Sequence, residues 1–245
     1  MTYRLLTFAL ILAFGFALSR PGGEIALADH HSSKNTAPPA ADAPPHNVAP
    51  EGWTSLFNGK DTEGWEVKSG YATYEVKGGA ITGTTAKGSG NSFLCTTKIF
   101  KDFELKFDVF LHDDKLNSGC QVRSKIVRPG GKYGGRIGGP QVEISANRQA
   151  GFIFGEAGLG GWWTQDPKEK RHDHFKKGQW NTYHVVAKGN TITTLINGNL
   201  IAETNHPEKY KDEFQEGVIG LQVHSVKDDP KWQVSWRNIY IKPLD

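Results

Sequence analysis

Cysteine is scarce in this chain, charge is dilute, and the body of the sequence has no long apolar run. Of 245 residues, two are cysteine and 22% are Asp, Glu, Lys or Arg. Two thiols, Cys95 and Cys120, permit at most one disulfide, and the sequence leaves a bridge and two buried free thiols equally open. Basic residues are nowhere concentrated: Lys168-Glu169-Lys170-Arg171 is mixed and local, and the formal charge is only +3, which argues against a nucleic-acid partner. No repeat of about 20–50 residues is visible, which argues against a solenoid or propeller. The apolar run at residues 5–18 spans 14 residues, short of the roughly 20 that a membrane helix needs. No cysteine follows it to carry a lipid anchor.

That run has the form of a secretion signal. Arg4 precedes it, and Ala26-Leu27-Ala28 supplies an A-x-A cleavage site, with Ala17-Leu18-Ser19 as a second candidate. The expected organisation is a signal peptide over 1–28, a disordered Pro/Ala-rich linker over 29–50 and one domain over 51–245, in a secreted or periplasmic protein with no stable membrane insertion. Cleavage removes Arg4, Arg20 and Glu24, leaving a charge of +2. His30-His31 then lies near the new N-terminus, where the pair can bind a metal or, on the plainer reading, stay in a solvated tail.

The domain reads as strands and turns. The chain has 29 Gly, 12 Pro, 7 Trp, 7 Tyr and 13 Phe, a composition that favours a β-sandwich or barrel over a helical domain. In Phe103-Glu104-Leu105-Lys106-Phe107-Asp108-Val109-Phe110-Leu111, alternation turns Phe103, Leu105, Phe107, Val109 and Leu111 inward. Asn197-Gly198 between two apolar runs is a hairpin signal, and with Gly189-Asn190 it makes a three-stranded meander of residues 181–203. In the last strand Trp232, Val234 and Trp236 share a face, with a phase shift expected near Asn238. The only helical candidate is 208–214. Residues 129–139 and 155–177 read as loops, long enough to suggest that they cover a site. A two-sheet sandwich of some 12–14 strands fits, with a closed barrel as the alternative.

Three strands carry chemistry on one face. Gln141 and Glu143 alternate with Val142 and Ile144; Gln121 and Arg123 alternate with Cys120 and Val122; Gln222 and His224 alternate with Leu221 and Val223. If the strands share a sheet, their polar faces gather a guanidinium, a carboxylate, carboxamides and an imidazole.

Short motifs punctuate the domain in a specific order. They are Gly52-Trp53-Thr54-Ser55-Leu56-Phe57-Asn58-Gly59-Lys60-Asp61, Gly64-Trp65, Gly78-Gly79-Ala80-Ile81, Asn117-Ser118-Gly119, Gly139-Pro140-Gln141-Val142-Glu143, Gly178-Gln179-Trp180-Asn181, Gly217-Val218-Ile219-Gly220-Leu221-Gln222-Val223-His224 and Trp236-Arg237-Asn238-Ile239. In this order and spacing the chain resembles the 3-keto-disaccharide hydrolase domain family, also described as a 3-keto-glucoside 1,2-lyase/3-keto-2-hydroxyglucal hydratase domain. The resemblance covers residues 51–243. It implies an all-β, two-sheet antiparallel jelly-roll sandwich of the concanavalin A-like lectin/glucanase type that processes 3-oxidised glycosides. Two departures stand out. Many members have Glu-x-Gln where this chain has Gln141-Val142-Glu143, and Gln-x-His-Gly where it has Gln222-Val223-His224-Ser225.

A ketone at C3 acidifies the C2 hydrogen, so a base can drive loss of the C1 substituent, and water then adds to the unsaturated sugar. Glu143 or His224 can supply the base and the other the acid, and Arg123 can stabilise the enolate oxygen. Gln141, Gln222, Gln121 and Asn117 can orient hydroxyls, and Trp162 or Trp163 can stack on a sugar ring. No cofactor is expected. A divalent metal held by Glu143 and His224 stays open, although their spacing is not a metal signature. The expected partner is a glycan or oxidised disaccharide. Two competing readings are a non-catalytic carbohydrate-binding, lectin-like module and an ordinary glycoside hydrolase pairing Glu143 with Glu156 or Asp108. Against each site assignment stands a structural one: Glu143 and Arg123 as a cross-strand ion pair, His224 as an exposed strand residue, and the paired tryptophans as pins for their loop.

Overall fold

The computed structural model describes residues 47–165 and 168–244; the expected signal peptide and all but the last residues of the expected linker lie outside the described residues. Among the described residues fifteen strands follow one another: β1 (Thr54–Ser55), β2 (Trp65–Lys68), β3 (Thr73–Lys77), β4 (Ala80–Thr84), β5 (Ser92–Thr96), β6 (Phe103–Leu111), β7 (Ser118–Arg128), β8 (Arg136–Ile144), β9 (Ile153–Glu156), β10 (Gly161–Trp162), β11 (Asn181–Lys188), β12 (Thr191–Ile196), β13 (Asn199–Asn205), β14 (Val218–Val223) and β15 (Gln233–Pro243). One 3-10 turn, Glu208–Tyr210, stands where the helical candidate was expected.

The strands form two antiparallel sheets. One runs β13-β12-β11-β6-β15-β4-β3, with β1 beside β15, and the other β10-β9-β8-β7-β14-β5-β2. This is the jelly-roll sandwich rather than a closed barrel. Alternation builds its core: Phe103, Leu105, Phe107, Val109 and Leu111 of β6 are each at most 3% exposed. They meet Cys120, Val122, Val142, Ile144 and Leu221 of the facing sheet in one cluster. In the β12–β13 hairpin Asn197 and Gly198 both adopt positive φ, as a tight turn between twisted strands requires. In β15 the phase shifts where expected. Asn238 has φ 53°, the pairing with β6 slips between Arg237 and Tyr240, and Ile239 and Ile241 replace Val234 and Trp236 as inward residues.

Three expectations are corrected here. Residues 136–139 belong to β8 and are not loop, residues 155–156 and 161–162 of the expected second loop belong to β9 and β10, and Asn47 at the end of the linker is tied to the domain by reciprocal backbone-to-side-chain bonds with Asn238.

The second sheet does not stay open. Ser69, one residue past β2, donates from its backbone N to Tyr133 O (2.8 Å) and from Oγ to Gly135 O (3.0 Å), and accepts from Ile137 N (2.7 Å). Yet β2 and β8 are four places apart in that sheet. The outer half of the β7–β8 hairpin therefore leaves the sheet plane and arches across its outer face. A bulge lets it turn: Arg123 has φ 51°, and the register slips between Gln121 and Lys125 against β8 and between Val218 and Gly220 against β14. Gly139, at φ 140°, makes the matching bend in β8, where a Cβ would fall 2.5 Å from Ser124 Oγ. Under the arch Ile137 packs on Phe93 and Cys95 in a small second core. Cys95 lies there while Cys120 lies between the sheets, so the two thiols sit on opposite faces and both are free.

Candidate functional site

The outer face of the second sheet holds a buried amide network. Gln121 faces Gln141 across β7 and β8, and Gln222 faces Gly119 across β14 and β7. Gln141 Oε1 accepts from Gln121 Nε2 (2.8 Å) and from Gln222 Nε2 (2.7 Å). Gly119 makes this possible, because a Cβ there would fall 2.5 Å from the Gln141 side chain that lies across it. Ser124 Oγ donates to Gln121 Oε1 at 2.6 Å, tying the network to the base of the arch.

Glu143 continues the row beyond Gln141. It is 4% exposed. Asn117 Nδ2 donates to its carboxyl, and Ser145 and Gln141 also bond it. Burial nevertheless dominates and raises its pKa from 4.5 to about 7, the nearby Glu156 adding to the rise. The folded state thus holds a proton that the unfolded chain has already released between pH 4.5 and about 7. This contribution to stability is whole below pH 4.5 and is lost as pH rises through 7, by on the order of 3 kcal/mol. Glu143→Gln, neutral at every pH, is expected to flatten that decline in urea titrations at pH 5 and pH 8. An unchanged slope in the variant would place the proton elsewhere.

A cavity of about 510 Å³ opens on the same face, lined by Asn91, Arg128, Arg136, Phe154, Glu156 and His224 together with residues 157 and 158. Phe154 stands opposite Gln141, so the cavity adjoins the amide row. Arg136 Nη2 meets Glu156 Oε1 at 2.6 Å, Glu156 itself being 4% exposed. Asn91 Nδ2 donates to Glu156 (3.3 Å) and its Oδ1 accepts from Ser225 N (2.9 Å), so one side chain links β9 to the end of β14. His224 Nδ1 lies 2.9 Å from Ser225 O. A carbonyl only accepts, so Nδ1 carries a proton, and in the neutral ring Nε2 keeps its lone pair.

The expected set is therefore divided. Gln121, Gln141, Gln222, Asn117 and Glu143 come together, and His224 lines the adjoining cavity. Arg123 does not join them. The bulge reverses its parity, and its guanidinium is fully buried, bonded to Lys101 O, Gly189 O and Asp102 Oδ1. Glu143 and Arg123 thus form no ion pair. Trp163 is corrected too: it is 6% exposed, stacked on Tyr210 within the core, and donates to Leu159 O. Trp162 remains on the outer side, edge-on to Phe152 and Phe154 and half-buried. Asp108 belongs to the other sheet, where Thr182, Asn238 and Arg237 hold it.

Arg136, Asn91 and Phe154 were not anticipated. Arg136 fell within a stretch read as loop, and its pairing with Glu156 depends on the arch. Asn91 precedes a fully buried strand and bears no pattern of its own. Among the described residues no three His, Cys, Asp or Glu side chains converge to hold a metal ion. No helix among them is long and apolar enough to cross a membrane.

The two-sheet antiparallel sandwich recurs in solved structures. At 22% identity, a candidate glycosyl hydrolase from Parabacteroides distasonis ATCC 8503 matches it with TM-score 0.56, over 82% of this chain and 100% of that one. The carbohydrate-binding module CBM66 from Bacillus subtilis matches at 16% identity and TM-score 0.52, over 73% and 95% of the two chains. A Bacillus subtilis protein with a galectin-like fold matches at 11% identity and TM-score 0.57, over 73% and 88%. These likenesses establish the fold. No curated protein matches the sequence. The chain belongs to the 3-keto-alpha-glucoside-1,2-lyase-like domain family, whose pattern spans residues 52–242. It is thus a carbohydrate-active domain of the glycosidase-like kind.

Proposed function

We propose that the protein is an exported enzyme that cleaves 3-keto-glycosides by β-elimination followed by hydration, at the cavity bounded by Asn91, Arg136, Glu156 and His224. The observation that carries this reading is that a guanidinium, a carboxylate, a carboxamide and an imidazole line one hollow of about 510 Å³ beside a fixed amide row. These are the chemical groups that the reaction needs, and Arg136 stands in the role first expected of Arg123.

His224 Nε2 takes the proton from C2 of the sugar. The electron pair left behind moves onto the C3 oxygen, where the Arg136 guanidinium stabilises the enolate. Glu156 holds that guanidinium at 2.6 Å and so fixes its direction. The enolate collapses, the C1–O bond breaks, and a C1=C2 double bond conjugated to the ketone remains. The imidazolium returns its proton to the departing oxygen. Water then adds across the double bond, so the net change is hydrolysis. Gln141 and Gln222 anchor the floor, and Trp162 offers an aromatic edge to the part of the substrate lying beyond Phe154.

The test is to incubate the protein with 3-keto-glucosides and their unoxidised parents and follow the ultraviolet absorbance of the conjugated enone. Turnover of the oxidised compounds alone is expected. Cleavage of the unoxidised parent alone would replace elimination by a two-carboxylate hydrolysis through Glu143 and Glu156. Sugar retention without turnover of either would make the domain a binding module.

A further inference from the structure

We infer that Arg128 selects glycosides whose aglycone bears a carboxylate, an assignment of substrate class that rests on the elimination reading above. Arg128 and Arg136 each line two hollows. One is the reaction cavity. The other, of about 320 Å³, lies at the tip of the arch against Ser69, Lys132 and Tyr133. The two hollows therefore adjoin at the pair of guanidinium groups, and a glycoside seated in the first can extend its departing group into the second.

The charges around this junction do not balance. Arg136 is paired with Glu156. Among the described residues, neither Arg128 nor Lys132 has a carboxylate within ion-pair distance. Arg128 makes one long bond, from Nη2 to Ala157 O at 3.4 Å, and Lys132 Nζ stands 5.5 Å over the Tyr133 ring. Two other cations flanking the arch are matched, Lys68 by Glu66 and Lys125 by Glu213. Two uncompensated positive charges thus face the second hollow. A guanidinium offers a planar fork of donors, and a carboxylate accepts it through two parallel bonds, which a neutral amide cannot do. The tip is also shaped for close approach. Glycines 130, 131, 134 and 135 all have positive φ, so the backbone there turns tightly with no side chains between Arg128 and Lys132 except Pro129.

Two unoxidised glucosides, 4-carboxyphenyl and 4-carbamoylphenyl, separate charge from shape. They lack the ketone and cannot be eliminated, so their binding is independent of the proposed reaction. Calorimetry at low salt is expected to find the carboxylate bound about tenfold more tightly than the amide. That preference should fall to near unity in R128Q, and it should shrink in about 0.5 M NaCl. Equal affinities for the wild type, a preference that survives R128Q, or no detectable binding of the carboxylate at about 10 mM would each overturn the assignment. The enone assay on the matching 3-keto compounds judges the elimination reading separately.

Discussion

Replacing His224 with alanine is expected to lower turnover of a 3-keto-glucoside by about a thousandfold, within the range that a positioned acid-base group supplies. The imidazole is asked to do two things in sequence, to take the C2 proton and to deliver it to the leaving oxygen, and no other group lining the cavity can do both. Glu156 is committed to Arg136, and the guanidinium groups stay protonated. The fold itself should hardly notice the change. His224 is half-buried and its one bond is to the neighbouring carbonyl, so the melting temperature of H224A should stay within about 2 °C of the wild type. Deuterium at C2 should slow the wild-type reaction if proton removal limits it. The decisive comparison is single-turnover enone formation by H224A and E143Q. If H224A keeps more than about a tenth of the wild-type rate while E143Q loses it, the base is Glu143, whose burial already holds it near neutrality.

Much of the sandwich was legible because its sheets obey a period of two. The inward set of β6, the β12–β13 turn and even the phase shift at Asn238 follow from alternation and turn chemistry. The amide row was legible for the same reason. What alternation could not carry was the sequence beyond a bulge. One extra residue at Arg123 exchanges the faces of everything after it in β7, so a parity rule read through that point sends the guanidinium to the wrong side. The arch was illegible in a second way. Asn91 meets Ser225 because β5 pairs with β14, and Arg136 and Asn91 converge on Glu156 from separate strands, and nothing local to those residues records partners brought together from other strands. The right kinds of chemistry were therefore expected, but two of the side chains that supply them were not: an arginine and an amide from elsewhere in the chain. Trp162 and Trp163 show the limit at its smallest, since adjacent residues at the end of the edge strand β10 take opposite sides, and the sequence does not say which faces solvent.

The same bulge makes Arg123 a test of the fold rather than of the chemistry. Its guanidinium is fully buried and closes a junction between the sheets. It bonds Asp102 at 2.7 Å together with the carbonyls of Lys101 and Gly189, and Asp102 in turn accepts from Gly189 N. Arg123→Met keeps the length and apolar stem but strips the donors, leaving two carbonyls and a partly buried carboxylate without their partner. Breaking such a pair from one side costs about 3–5 kcal/mol. In a domain of this size that corresponds to a fall in melting temperature of about 10 °C. Asp102→Asn should cost less, because the carboxylate is 21% exposed and the guanidinium keeps its two carbonyl acceptors. Urea titrations of the two variants measure the difference. An R123M protein within about 0.5 kcal/mol of the wild type would remove Arg123 from the structural role given to it. An R123M protein of wild-type stability that had lost enone formation would return that guanidinium to the reaction site and displace Arg136 from it.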